Sequence, residues 1–373
     1  MKKRCICLIL AMGMAIGLAG CGTTGESDKT RDEAVEAEEV MEAEETEPVA
    51  EPEPVIRTVT ITATGDCTLG RAQIHSYGNS FDYYYDTYGE TYCFDGVRDV
   101  FENDDFTLIN LECVLTTSEN RVEKTYNLKG RPEYTGILTA CSVEAVGHGN
   151  NHAADYGEES LVETHEALDA AGIPYAYNDH TCTYTTDQGI TIGVVSVSLL
   201  SQSEDRQLMV KNGIESLRAE GADIVIAACH WGIEREYYPT DFQQTMAHNC
   251  IDWGADLVIG NHPHVLQGVE EYNGKVICYS LGNFCFGGNT NPSDKDTMMF
   301  TQTFTFVDDV LQPYVEAAII PCRLSGHDGY NDYQPVIAEG DRKQHIIESV
   351  NAYSAPYSDI YFDENGVLCN KEQ

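Results

Sequence analysis

Short apolar runs rich in β-branched residues recur along this chain, and each stops at a small polar island. Residues 55–64 (VIRTVTITAT) halt at Gly65-Asp66, 106–111 at Glu112, and 143–147 just before Asn150-Asn151-His152. Residues 223–229 halt at His230, and 256–260 at Asn261-His262-Pro263-His264. Runs of this length read as strands, as does 190–197, and apolar residues at helical spacing fill gaps between them. Those helical stretches fall near 96–102, at 158–171 closed by Gly172, at 205–219 and at 242–253. Alternating strand and helix predicts an α/β layered core. Paired runs at 269–280 and 300–320 predict antiparallel strands, hence mixed sheets. The tyrosine-rich stretch 83–88 reads as a surface loop packing on itself.

Ligands of open α/β sheets gather beyond the carboxyl ends of the strands, so islands at several strand ends predict one shared site. His262 and His264 flank Pro263, which forbids a helical backbone and holds both imidazoles outward. Carboxylates and imidazoles together suit a divalent metal, one or two ions of Mn, Zn or Fe. Singly, Asp66 could be a turn or helix cap, Asn151 a turn residue and His230 a satisfied core histidine. Five such islands at strand ends favour the shared site.

The ends of the chain read differently. Lys2, Lys3 and Arg4 precede an apolar stretch over 5–18, so residues 1–20 have the form of an export signal. Leu18-Ala19-Gly20-Cys21 resembles a bacterial lipobox, in which Cys21 would be lipidated; an ordinary signal peptide with a chance cysteine is the alternative. The protein is then expected outside the cytoplasmic membrane on a lipid anchor. Residues 21–54 hold thirteen acidic residues against Lys29 and Arg31, too polar to fold, and read as a disordered tether. The folded domain is expected over 55–325, with 326–373 as a C-terminal extension packing on it. A formal net charge of −39 argues against nucleic acid as a partner. Of fourteen cysteines, Cys229, Cys278 and Cys322 lie inside apolar runs and read as small core hydrophobes, not as a disulfide framework.

The ordered islands Gly65-Asp66, Asn110-Leu111-Glu112, Asn150-Asn151-His152 with Asp155 and Gly157, His230-Trp231-Gly232 with Glu234, His262-Pro263-His264 with Gln267, and Ser280-Leu281-Gly282-Asn283-Phe284 carry a resemblance. They are similar to the CapA family of poly-γ-glutamate capsule biosynthesis proteins, itself related to calcineurin-like metallophosphoesterases. The resemblance implies a four-layer α/β/β/α sandwich of the metallophosphoesterase type. It also implies that Glu112 bridges two ions, Asp66 and His264 hold one, and Asn151, His230 and His262 hold the other. His152 is then the candidate general acid, with Asp155 fixing its tautomer.

One departure matters. Metallophosphoesterases begin their motif series with Asp-x-His, whereas Asp66 is followed here by Cys67 and Thr68, so a mononuclear site stays open. Asn283 is either a substrate contact or part of a structural turn, and Lys129 and Arg131 either hold a substrate carboxylate or phosphate or are solvated. With the export signal and lipobox, the resemblance implies an exported, lipid-anchored protein in biosynthesis, export or attachment of poly-γ-glutamate or a related cell-envelope polymer, with membrane synthase subunits as candidate partners. The rivals are a metallophosphoesterase or amide hydrolase unconnected with capsule, and a non-catalytic scaffold for a membrane synthase.

Overall fold

Side chains alternate across each strand, and here both faces of the strands are apolar. In the computed structural model, which describes residues 53–370, that alternation sorts the core into three apolar layers. The export signal, Cys21 and almost all of the acidic segment lie outside the described residues.

The middle layer lies between two sheets. Val59, Ile61 and Ala63 of strand Ile56–Thr68 and Phe106 and Leu108 of strand Phe106–Leu111 enter it from one sheet. Ile192 and Val194 of Thr191–Ser198, Ile224 and Ile226 of Ile224–His230, and Leu257 and Ile259 of Leu257–Asn261 enter it from the other. The intervening residues face outward. Ile109, Leu111 and Val146 meet Phe81, Phe101, Ile137, Leu138 and Leu168 from four helices on the first sheet's outer face. Val195, Val197, Val225, Ala227 and Val258 meet Val210, Ile214 and Leu217 of helix Glu204–Ala219 and Met246, Ala247 and Cys250 of helix Asp241–Asp252. Helix, sheet, sheet and helix therefore stack as an α/β/β/α sandwich.

Both sheets are mixed. In the nine-stranded sheet Ile56–Thr68 runs parallel to Phe106–Leu111 on one side and antiparallel to Asp296–Val307 on the other. In the six-stranded sheet Thr191–Ser198, Ile224–His230, Leu257–Asn261 and Lys275–Cys278 are parallel neighbours, and antiparallel strands close both edges. Helix ends follow local chemistry: Ser203 caps one helix, Thr240 and Gln243 form a capping box on another, and Gly172 ends a third at φ 72°.

The C-terminal residues share this core. Strand Val336–Ile337 extends the larger sheet, and helix Gly340–Ser354 buries Ile346, Ile347 and Val350 in the middle layer. Every described cysteine is a free thiol, and Cys229, Cys278 and Cys322 are buried. No helix among the described residues is long and apolar enough to cross a membrane.

The tyrosine stretch departs from the expected loop. Residues Phe81–Tyr88 form an α-helix, because Phe81, Tyr84, Tyr85 and Tyr88 recur at 3.6-residue spacing on one face. Phe81 packs edge-on against Tyr134 and Tyr333, and Tyr84 and Tyr88 stack on Tyr92.

Candidate metal centre

Strand register brings the islands together. Asp66 pairs with Asn110 on one side and Asn283 on the other, while His230 pairs with Asn261 across the second sheet. Asp66 N–H donates to Gly282 O at 2.8 Å, an approach open only because Gly65 has no side chain: a Cβ there would sit 2.0 Å from that same oxygen. His262 and His264 occupy left-handed backbone, at φ 96° and 58°. That conformation is costly for a side chain of this size and is met where surrounding structure imposes it, often at functional sites.

Glu112 is the hub. Its Oε1 lies 3.5 Å from His230 Nε2, 3.8 Å from His264 Nε2 and 3.9 Å from His152 Nε2. Potential ligand atoms of Glu112, His262 and His264 all fall within 4.8 Å of one another. Beside them His264 Nδ1 contacts Asp66 Oδ2 at 3.0 Å, and His230 Nε2 contacts Asn151 Oδ1 at 2.7 Å.

The donor set fits a divalent cation. Glu112 is fully buried, yet neither carboxylate oxygen has a hydrogen-bond partner, and His262 Nδ1 is buried and unpartnered too. Polar atoms orphaned in this way are expensive unless something else satisfies them. Burial, reinforced by the charge of Asp66, pushes the Glu112 carboxyl well above its ordinary range. Burial holds His230 well below its usual value and takes His262 down to about 4, so both present neutral nitrogens. Burial also works against a charge on His264, but Glu112 and Asp66 outweigh it and raise the imidazole to about 10. An oxygen and nitrogen set of this kind suits Mn, Fe or Zn.

Thr68 lies two residues after Asp66. Its hydroxyl donates to the Glu112 carbonyl at 3.1 Å and so braces the hub's backbone.

Residues 60–288 match the family of bacterial capsule synthesis proteins, PGA_cap. This chain belongs to that family. It is 31% identical over 215 residues to PGA biosynthesis protein CapA of Bacillus subtilis, a match covering 52% of this chain and 56% of that protein. It is 27% identical over 253 residues to capsule biosynthesis protein CapA of Bacillus anthracis, covering 61% and 60%. The chain thus spans less than two thirds of the length of these relatives. Among solved structures, a 5'-nucleotidase of Candida albicans aligns with TM-score 0.38 at 12% identity, over 65% of this chain and 47% of that one.

In this PGA_cap protein His152 and Asp155 stand beside the hub. His152 Nδ1 donates to Asp155 Oδ2 at 2.7 Å, which leaves Nε2 facing Glu112. Asp155 is itself held by Leu128 N–H and Lys124 Nζ, both at 2.6 Å, and Lys124 also donates to Asn151 O at 3.1 Å. Lys124 was not foreseen from the sequence, because it sits in an irregular polar stretch with no periodic signal. Asn110 Nδ2 likewise braces Asp66 Oδ1 at 2.8 Å, and Asn150 accepts from His152 N–H. Asn283 Oδ1 meets His264 Nδ1 at 2.9 Å and its Nδ2 donates to His264 O, orienting that imidazole, and Asn283 also lines the cavity beside it.

Lys129 and Arg131 are not brought to the site. Lys129 bonds Glu119 and Ser118 O and lies over the Tyr156 ring, while Arg131 grips Asp86 through two nitrogens and stacks near Tyr134. Neither lines the cavity beside His152 and His264.

Because His264 stays protonated up to about 10, it must shed its proton to become a ligand. Metal uptake near neutral pH is therefore expected to release about one proton or more, and affinity to rise as pH climbs toward 10. Calorimetric titrations in two buffers of different ionisation enthalpy would read this directly. Identical heats in both would remove His264 from the ligand set.

Proposed function

We propose that this chain processes poly-γ-glutamate, or a related anionic cell-envelope polymer, at a divalent-metal centre. In this reading it is exported and held at the membrane by a lipid on Cys21, with residues 21–54 as tether. The observation that carries the metal centre is the buried Glu112 carboxylate with both oxygens unpartnered among inward-facing imidazoles. The polymer is suggested by family membership and by the names of the Bacillus relatives.

Asp66, Glu112, Asn151, His230, His262 and His264 would hold the ion or ions. A bound divalent cation would supply Lewis acidity and lower the pKa of a coordinated water. The chain's own residues supply the rest. Asp155 keeps the Nδ1 proton of His152 in place, so His152 exchanges a proton through Nε2, the atom facing the hub. Lys124 neutralises Asp155 and fixes the Asn151 backbone, holding acid and ligand loop in one register. A formal charge of −39 repels a polyanion, which makes a cationic centre the condition for binding one.

The test is chain-length analysis of oligo-γ-glutamate, with bis-(p-nitrophenyl) phosphate in parallel, incubated with metal-loaded protein. Cleavage or transfer of the γ-linked oligomer is the expected result, and cleavage of the phosphodiester alone would replace the polymer reading with a phosphoesterase. His152→Ala is expected to lower the rate by roughly 10²–10⁴-fold with metal content unchanged. An unaltered rate would strip His152 of its role.

A further inference from the structure

We propose that Arg235 reads the charge of the substrate at this centre, binding a free carboxylate of an anionic chain whose neighbouring linkage lies over the metal ligands. This rests on the polymer reading above and names the residue that recognises it. A cavity of about 250 Å³ opens beside His152 and His264, and Arg235 is the one arginine or lysine among the described residues that line it. Ile74, Leu128, Val265 and Phe286 form an apolar wall.

The guanidinium of Arg235 has no hydrogen-bond or ion-pair partner among the described residues. Arg57, Arg71, Arg131, Arg218, Arg323 and Arg342 each hold a carboxylate, and Arg121, which shares the lack of a partner among the described residues, does not line the cavity. Two other polar side chains of the cavity are committed, while the Glu234 carboxylate beside Arg235 has no hydrogen-bond or ion-pair partner among the described residues. Asp294 accepts from Tyr237 Oη and from Asp296 N–H, and the His75 ring bonds Gly288 O.

The backbone under Arg235 is also held in place. Its φ of 66° is left-handed, a conformation glycine adopts freely and arginine does not. Arg235 N–H donates to Pro263 O at 2.8 Å, between the two metal-facing histidines His262 and His264. One residue on, Gln267 Nε2 donates to Glu236 O at 2.7 Å, and Gln243 in turn donates to Gln267 at 2.9 Å. The arginine is thus fixed to the ligand loop itself, so a group bound by it is registered against the metal centre.

A guanidinium fork matches a carboxylate bidentately, and an apolar wall matches methylene stems. A γ-linked glutamate chain carries both, a free carboxylate on each residue and a two-carbon stem between amides. A phosphate shares the oxyanion but not the stem.

The experiment is calorimetric binding of tetra-γ-glutamate to the full-length, metal-loaded protein, with inorganic phosphate as competitor. Arg235→Gln is expected to weaken binding by roughly ten- to a hundredfold, with Arg235→Lys in between and metal content equal in all three. Arg235 is exposed, so neither change threatens the core. Equal affinity in Arg235→Gln would overturn the role of Arg235 and leave the polymer reading standing. A wild-type protein that ignores the oligomer would overturn the polymer reading and this inference with it. Arg235-dependent binding of phosphate tighter than that of the oligomer would overturn the carboxylate assignment.

Discussion

Glu112→Gln is expected to abolish divalent-metal binding and to change metal-free stability little, because relief of the buried charge is offset by the lost pairing with protonated His264. The amide keeps the shape of the side chain but removes a charge that burial disfavours and that no hydrogen bond compensates. The same change removes the principal charge holding the proton on His264, whose imidazole should fall back from about 10. For the wild type, an ion at a hundredfold excess over Kd adds about 2.7 kcal/mol of stability. That corresponds to a rise in Tm of roughly 5 °C for a domain of this size. The variant should show no such rise and no stoichiometric metal by elemental analysis. Wild-type metal content in Glu112→Gln would mean that the hub of the site lies elsewhere.

Gly65→Ala tests the backbone that carries the site. The added carbon would lie 2.0 Å from Gly282 O, a fixed backbone atom that cannot rotate away. Relief requires separating strand Ile56–Thr68 from the Gly282-Asn283 turn, which breaks the Asp66 N–H bond to Gly282 O and displaces Asp66 and Asn283 together. The expected cost is about 3 kcal/mol or more, a fall in Tm of roughly 6 °C or more, with weakened metal binding. Gly78 is the control, since nothing lies within 4 Å of a Cβ there, and Gly78→Ala should change Tm by less than about 2 °C. Indistinguishable melting of the two variants would show that the strand and turn part freely.

The departures from expectation share a cause. Lys129 and Arg131 form a basic pair near a strand end, and nothing local says that they pair with Glu119 and Asp86 and stay out of the cavity lining. Arg235 is the converse case: it follows Glu234 in a polar loop, and only the fold places its guanidinium, unpartnered among the described residues, in the cavity beside the metal-facing histidines. The helix Phe81–Tyr88 was legible in principle, since its aromatic residues keep a helical period, but the density of tyrosine obscured it.

By itself the sequence determined the layered core and the set of strand-end residues that meet around Glu112. Both depend on local rules: alternation assigns each strand's two faces, and a parallel strand must deliver its terminal residue to the same sheet edge as its neighbours. Only the tertiary structure decided which charges are paired, which carboxylate is left bare, and which arginine lines the cavity. Those outcomes depend on distances between residues far apart in the chain, such as the 2.6 Å from Lys124 to Asp155 and the 3.5 Å from His230 to Glu112. Ionic interactions fall off with distance and with exposure to solvent, so no reading of neighbours along the chain can assign them.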